Sequence, residues 1–228
     1  ARRAELLERI GPGVAVFPSA PVSIRNNDVE HEYRQDSDFF YLSGFDEPES
    51  VLVVSNLHPE HKAVLFVRPR HKEREIWDGP RAGVEGAARD FGVDAAFPID
   101  ELEQRLPDYL QGGRRVHAMV GRGGSFDAVL FKALATVRGR ARSGAIAPTE
   151  IVDPSATLHE MRLRKTDVEL EQMRRAAGVT RDAHVEAMKA TQPGKFEYQI
   201  KAEINRVFQM GGRDRPAYDS SVGAGPHG

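Results

Sequence analysis

The chain has 228 residues, enough for one large domain or two smaller ones. With 40% hydrophobic and 29% charged residues it has the make-up of an ordinary soluble globular protein, which excludes a disordered or fibrous one. A formal net charge of −2 gives no general pull toward nucleic acid or anionic membrane, and the absence of cysteine removes disulfides, thiolate nucleophiles and Cys-ligated zinc together.

In chain order, residues 1–10 form a charged amphipathic stretch without the apolar core of a signal peptide. Residues 14–17 predict a strand after the Gly-Pro-Gly turn at 11–13. Residues 39–42 are aromatic and apolar and stop at the turn-former Gly44. Residues 51–54 and 63–67 predict a strand pair joined by a polar loop around Asn56, Pro59 and Glu60. Such apolar runs are one strand long, far short of a membrane span. Residues 84–91 read as a helix stopped by Gly92, and Leu102, Leu106, Tyr109 and Leu110 recur at helical spacing before Gly112 and Gly113. Residues 116–120 return to strand. Ser125 is then expected to cap a helix with Val129, Leu130, Ala133, Leu134 and Val137 on its apolar face. Strands alternating with helices predict an α/β domain, a sheet covered by helices.

Between residues 139 and 155 the pattern breaks down into Arg, Gly, Ala and Pro, with Pro148 and Pro154 resisting helix, and reads as a linker. Thr166 followed by Glu169 is a capping-box signature. It opens a long helix with Leu170, Met173, Ala177 and His184 on roughly one face, ended by Pro193 and Gly194. Phe196, Ile200, Ile204 and Phe208 mark a second helix closed by Gly211 and Gly212, and residues 216–228 read as a strand entering a glycine-rich turn. Two helices and one strand cannot bury their apolar faces unaided, so residues after 165 are expected to belong to a larger domain.

No HExxH, GxSxG or EF-hand pattern is present. His58, His61 and His71 lie in polar stretches and are expected at the surface. The three-residue spacing of His58 and His61 is discounted as a metal pair because Pro59 puts them in a loop. His117, in an apolar run, is expected as a satisfied core residue. His159 and His184 have no carboxylates at ligand spacing on both sides. The turn at residues 121–124 lacks the Walker and dinucleotide patterns and reads as a tight strand-to-helix connection. Asp28, Glu30, Glu32, Asp36 and Asp38 read as a solvated acidic loop. Trp77, the only tryptophan, is set among Glu73, Arg74, Glu75 and Asp78, which suits a side chain offered to a partner or ligand as well as a core one.

The string Tyr33-Arg34-Gln35-Asp36-Ser37-Asp38-Phe39-Phe40-Tyr41-Leu42-Ser43-Gly44-Phe45-Asp46-Glu47-Pro48-Glu49 resembles the signature of aminopeptidase P, the Xaa-Pro aminopeptidase family. The resemblance continues through Glu75-Ile76-Trp77-Asp78-Gly79 and His159-Glu160-Met161-Arg162-Leu163-Arg164-Lys165. It reaches Pro193-Gly194-Lys195-Phe196-Glu197-Tyr198 and Tyr218-Asp219-Ser220-Ser221-Val222-Gly223-Ala224-Gly225.

The resemblance implies an amino-terminal domain over residues 1–162, with a mixed sheet flanked by helices, and the start of a pita-bread metallopeptidase domain over residues 163–228. It implies removal of an amino-terminal residue that precedes proline, by two divalent metal ions of the manganese type that activate a bridging hydroxide. The family's metal ligands and substrate-binding His fall beyond Gly228, so none of the metal is expected on these residues, and His227 is not that His. Asp28 and Trp77 align with residues that reach a neighbouring subunit's active site, and Arg142 with an Arg at its entrance. Asp28 would then pair with the substrate's α-ammonium, Trp77 would stack on the proline ring or wall the next subsite, and Arg142 would engage the peptide's carboxylate or backbone. The expected partners are peptides with proline second and further copies of the chain in a dimer or tetramer, with no nucleic acid and no membrane, in the cytoplasm. Two alternatives stand beside this reading: a prolidase-type dipeptidase, and a non-catalytic oligomerisation or binding module of the same fold.

Overall fold

The structure is a computed structural model and describes residues 2–122, 125–212 and 216–225. They fall into two compact units, Ala1–Arg162 and Leu163–Gly228. In chain order the first unit holds α1 (Arg2–Ile10), β1 (Val14–Pro18), β2 (Ile24–Asn26), β3 (Val29–Glu30), α2 (Ser37–Ser43), β4 (Val51–Ser55), β5 (Ala63–Val67), α3 (Lys72–Asp78) and α4 (Gly83–Asp90). It continues with β6 (Ala95–Pro98), α5 (Leu102–Leu110), β7 (Arg115–His117), α6 (Phe126–Gly139), β8 (Glu150–Val152) and α7 (Ser155–Leu163).

Six strands make one mixed sheet in the order β6-β5-β4-β1-β7-β8, while β2 and β3 form a separate hairpin. β4 runs antiparallel to both β1 and β5, and the β5-β6, β1-β7 and β7-β8 pairs are parallel. The period-two alternation of a strand then sorts its side chains. Val14, Val16, Val51, Val53, Val64 and Phe66 face one layer, where α5 and α6 supply Leu106, Leu110, Leu130 and Leu134. Ala15, Phe17, Leu52, Val54, Leu65 and Val67 face the other, against Leu6, Phe39, Leu42, Ala87 and Leu158 from α1, α2, α4 and α7. Both faces are covered, so β1, β4 and β5 are continuous apolar runs. Each large side chain so enclosed contributes about 1.5–3 kcal/mol. The expected α/β fold, a mixed sheet flanked by helices, is the one observed.

Three expectations about strands and the linker need correction. Residues 139–155 are not a linker. They hold a 3-10 turn at Ala141–Ser143 and then β8, whose Glu150, Ile151 and Val152 pair with Arg115, Val116 and His117. An edge strand three residues long has too little alternation to read, and its Ile151 is 39% exposed. The strand expected over 116–120 leaves the sheet after His117, with Ala118 N–H still donating to the Val152 carbonyl at 3.0 Å. No strand forms over 216–225 among the described residues. His227 and the other residues of 226–228 lie outside the described residues, as do positions 123 and 124 of the turn at 121–124.

The second unit packs α8 (Asp167–Ala190) against α9 (Glu197–Met210). The capping box forms: Thr166 N–H donates to Glu169 Oε2 at 2.8 Å and Glu169 N–H to Thr166 Oγ1 at 3.4 Å. The face of α8 is rotated from the one expected. Ala183 is buried and Leu170 and Val179 half-buried, while Met173, Ala177 and His184 are exposed. Gly211 ends α9 against α8, where a Cβ would lie 3.1 Å from Val179 Cγ1. On α9, Ile200, Ile204 and Phe208 are half-buried as their spacing predicts, and Phe196 is 63% exposed.

Candidate functional site

Asp28 sits at the tip of the β2-β3 hairpin. Ile24 pairs with Glu30 and Asn26 with Val29, leaving Asn27 and Asp28 as the turn. Asn27 has φ +50°, a conformation that asparagine tolerates better than most residues. His31 N–H closes the hairpin's base on the Ser23 carbonyl at 2.8 Å. Asp28 is exposed, and its carboxylate makes no hydrogen bond or ion pair among the described residues.

Trp77 is 87% exposed and its neighbour Ile76 78%, so the lone tryptophan is not a core residue. Both lie on α3, a seven-residue helix without a buried residue, which ends at Gly79 with φ +83°. Arg142 lies in the 3-10 turn at Ala141–Ser143, exposed, with Gly144 closing the turn at φ +86°. The preceding Arg140 pairs with Asp108 at 2.5 Å, which fixes the turn to α5. The structure places the three on separate elements, and no contact between their side chains joins any two of them.

The acidic set is not one solvated loop. Asp28 and Glu30 are exposed. Asp36 caps α2, its Oδ1 accepting from Asp38 N–H and Phe39 N–H, both at 2.9 Å. Asp38 is buried, paired with Arg162 and 3.6 Å from His159 Nε2. Gln35, also buried, accepts from Ala20 N–H and Asp36 N–H at 2.9 Å and donates to the Phe45 and Glu47 carbonyls at 3.3 and 3.0 Å. Beside it Tyr33 donates to the Ala20 carbonyl at 3.1 Å, and burial pushes its phenol up to about 12.

His58 and His61 are more enclosed than their polar surroundings predict. Their rings stack at 5.0 Å, His61 Nδ1 lies 2.9 Å from the Tyr109 hydroxyl, and His58 Nδ1 accepts from His61 N–H at 3.0 Å. Burial, then the neighbouring His61, holds the His58 imidazole below its ordinary value. His117 is buried as expected but not satisfied, because its Nε2 has no partner among the described residues. Burial, then Arg115, holds its imidazole below the ordinary value.

One feature escaped the sequence. A cleft of about 830 Å³ opens at the carboxyl ends of the parallel strands β1, β6 and β7, lined by Pro18, Ile99, Met119, Arg122, Phe126 and Asp127 among others. Open α/β sheets present ligand sites at that edge. Its lining comes from five separated stretches of chain, so no local spacing marks it. Among the described residues no three His, Asp or Glu side chains converge as a set of metal ligands. Asp28, Trp77 and Arg142 present a carboxylate, an indole and a guanidinium on exposed residues.

Comparison with known proteins bears on what is recognised. The family model of the aminopeptidase P amino-terminal domain matches residues 1–117, and that of metallopeptidase family M24 matches residues 171–228. The chain belongs to the aminopeptidase P family. Among the curated aminopeptidase P relatives, the Xaa-Pro aminopeptidase of Escherichia coli is 39% identical over 229 aligned residues, covering 100% of this chain and 52% of the relative. The solved aminopeptidase PepP of Pseudomonas aeruginosa superposes with TM-score 0.94 at 44% identity, covering 99% of this chain and 51% of that one. A zinc-substituted E. coli aminopeptidase P in complex with product gives TM-score 0.89 at 39% identity, over 95% of this chain and 50% of that one. The chain thus spans about half the length of the aminopeptidase P proteins it matches. Asp28 and Trp77 fall inside the matched amino-terminal stretch, and Arg142 falls between the two matched stretches.

Proposed function

We propose that the protein carrying this chain is a metal-dependent aminopeptidase that releases an amino-terminal residue preceding proline. The observation that carries the reading is the pair of family matches in family order, aminopeptidase P amino-terminal domain and then M24 metallopeptidase. Residues 1–162 act as the non-catalytic amino-terminal domain, and residues 163–228 open the pita-bread catalytic domain.

The family implies two divalent ions of the manganese type. The described residues do not fit them, since no set of His, Asp and Glu converges. The ligands are assigned to the family's catalytic sequence outside the described residues.

The chain's own contribution is substrate recognition in a homo-oligomer, in which Asp28, Trp77 and Arg142 reach the active site of a neighbouring copy. Asp28 carries a carboxylate for the peptide's α-ammonium. Trp77 covers the proline ring, and Arg142 takes the carboxylate or backbone beyond it. Their exposure, and the absence of a partner for Asp28 among the described residues, support that role. No helix among the described residues is long and apolar enough to cross a membrane, and the reading places the enzyme in the cytoplasm.

The test uses the full-length protein. Trp77→Ala is expected to lower kcat/KM for a Xaa-Pro-Yaa tripeptide about 10–100-fold, or about 1.4–2.7 kcal/mol, with a smaller effect on a Xaa-Ala-Yaa control. Unchanged kcat/KM for the proline peptide removes Trp77 from the recognition site.

A further inference from the structure

We propose that Glu75 is the positioning residue for Trp77: its carboxylate is the fastening that holds the α3 arm and sets the direction in which the indole projects. The kinetic consequence rests on the role proposed for Trp77; the structural claim does not.

Little else holds α3 in place. Seven residues are well below the length at which a helix is stable by itself. No residue of α3 is buried, so no apolar anchor pins it, and its N-cap His71 makes no side-chain capping bond. Glu75 is the exception on a helix whose other residues are all exposed. Its side chain is only 10% accessible.

Glu75 Oε1 accepts from Arg81 N–H at 2.8 Å and from Arg70 Nε at 3.1 Å, and Oε2 accepts from Arg70 Nη2 at 3.3 Å. Bonds to an ionised acceptor are the stronger kind. The hydrogen bond from Arg70, then that from Arg81 N–H, holds the Glu75 carboxyl below the ordinary carboxylate range.

The partners are themselves fixed. The stem of Arg70 lies over Gly83, where a Cβ would sit 2.5 Å from Arg70 Cγ and where φ is +64°, so that position is built for glycine. Arg81 is 8% exposed at its side chain, and Ala82 N–H beside it donates to Glu47 Oε1 at 2.7 Å; Arg81 also pairs with Asp78 at the end of α3 at 2.9 Å, a more exposed tie than that of Glu75. The floor under Glu75 therefore belongs to the body of the unit.

Geometry supplies the consequence. Two residues along an α-helix turn a side chain by about 200°. Glu75 facing inward thus obliges Trp77 to face outward, and releasing Glu75 frees the arm to turn or fray.

Hydrogen–deuterium exchange of the full-length protein tests the fastening without reference to activity. Glu75→Ala is expected to speed exchange of amides in 72–78 at least tenfold and to leave β1 and β4 unchanged, with Glu75→Gln in between because it can still accept from Arg81 N–H. In kinetics on a Xaa-Pro-Yaa peptide, Glu75→Ala is expected to raise KM as Trp77→Ala does, with kcat changed less than twofold. The double variant is then no worse than Trp77→Ala within twofold. Unchanged exchange in Glu75→Ala overturns the proposal, as do multiplicative KM effects in the double variant. Should Trp77→Ala leave KM unchanged, the recognition role of Trp77 fails, and exchange alone then upholds or overturns the fastening by Glu75.

Discussion

Asp28 sits at a hairpin tip, with no cation among the described residues near enough to bond it. An exposed carboxylate of this kind attracts a peptide α-ammonium only while that amine holds its proton, below a pKa of about 8. The favourable term is present on the acid side of that value and lost on the alkaline side. We therefore expect KM of the full-length protein for a Xaa-Pro-Yaa peptide to climb between about pH 7.5 and 9, and Asp28→Asn to flatten most of that climb. A climb of equal size in the variant would remove Asp28 from the ammonium site. At this scale the sequence was informative about residue type and silent about partners. Trp77 among four charges suited a core place and an outward one equally, and the structure puts it outward, 87% exposed. His117 was legible as core, but that its Nε2 finds no partner among the described residues was not. Gln35 could be read only as part of a family string; its four hydrogen bonds depend on three loops that meet in space.

At the scale of elements, α2 shows how a short helix is specified locally. Asp36 accepts from two of its first N–H groups and Gly44 closes it in the left-handed conformation at φ +70°, with Gly44 N–H on the Phe40 carbonyl at 2.8 Å. Asp36→Ala should destabilise the protein by about 1 kcal/mol in chemical denaturation, with Asp36→Ser recovering most of the loss. No change in midpoint would show that the cap is energetically idle. The strands with both faces covered, the helices with an apolar stripe and the capping box at Thr166 were legible because each is written in a contiguous run of residues. β8 was not, because a three-residue edge strand borrows its identity from β7. The stripe of α8 was misplaced because a 24-residue helix offers several apolar faces, and only α9 decides which is used.

At the scale of the molecule, the two units differ in how much they enclose. The first has a core on each face of its sheet. The second fully buries Ala183 alone in α8 and α9, while Met188, Phe196, Tyr198 and Met210 stay 63–80% exposed. The proposed function assigns the cover of those side chains to the rest of the family's catalytic domain. Recognition at this scale came from several unusual strings in a fixed order, a signal that composition and periodicity do not carry. The cleft stayed out of reach because it is assembled from distant stretches, and the fastening of α3 because the loops on either side of the helix, not a helical spacing, bring Arg70 and Arg81 to Glu75.

The central claim is that this chain belongs to an enzyme that cuts before proline with the help of metal. It is met most directly by mass-spectrometric detection of the products when the full-length protein, loaded with Mn²⁺, is given a Xaa-Pro-Yaa peptide. The account predicts free Xaa together with Pro-Yaa, suppressed by a chelator and restored by added metal, and little cleavage of a Xaa-Pro dipeptide. An intact tripeptide under those conditions, or turnover confined to the dipeptide, would contradict it.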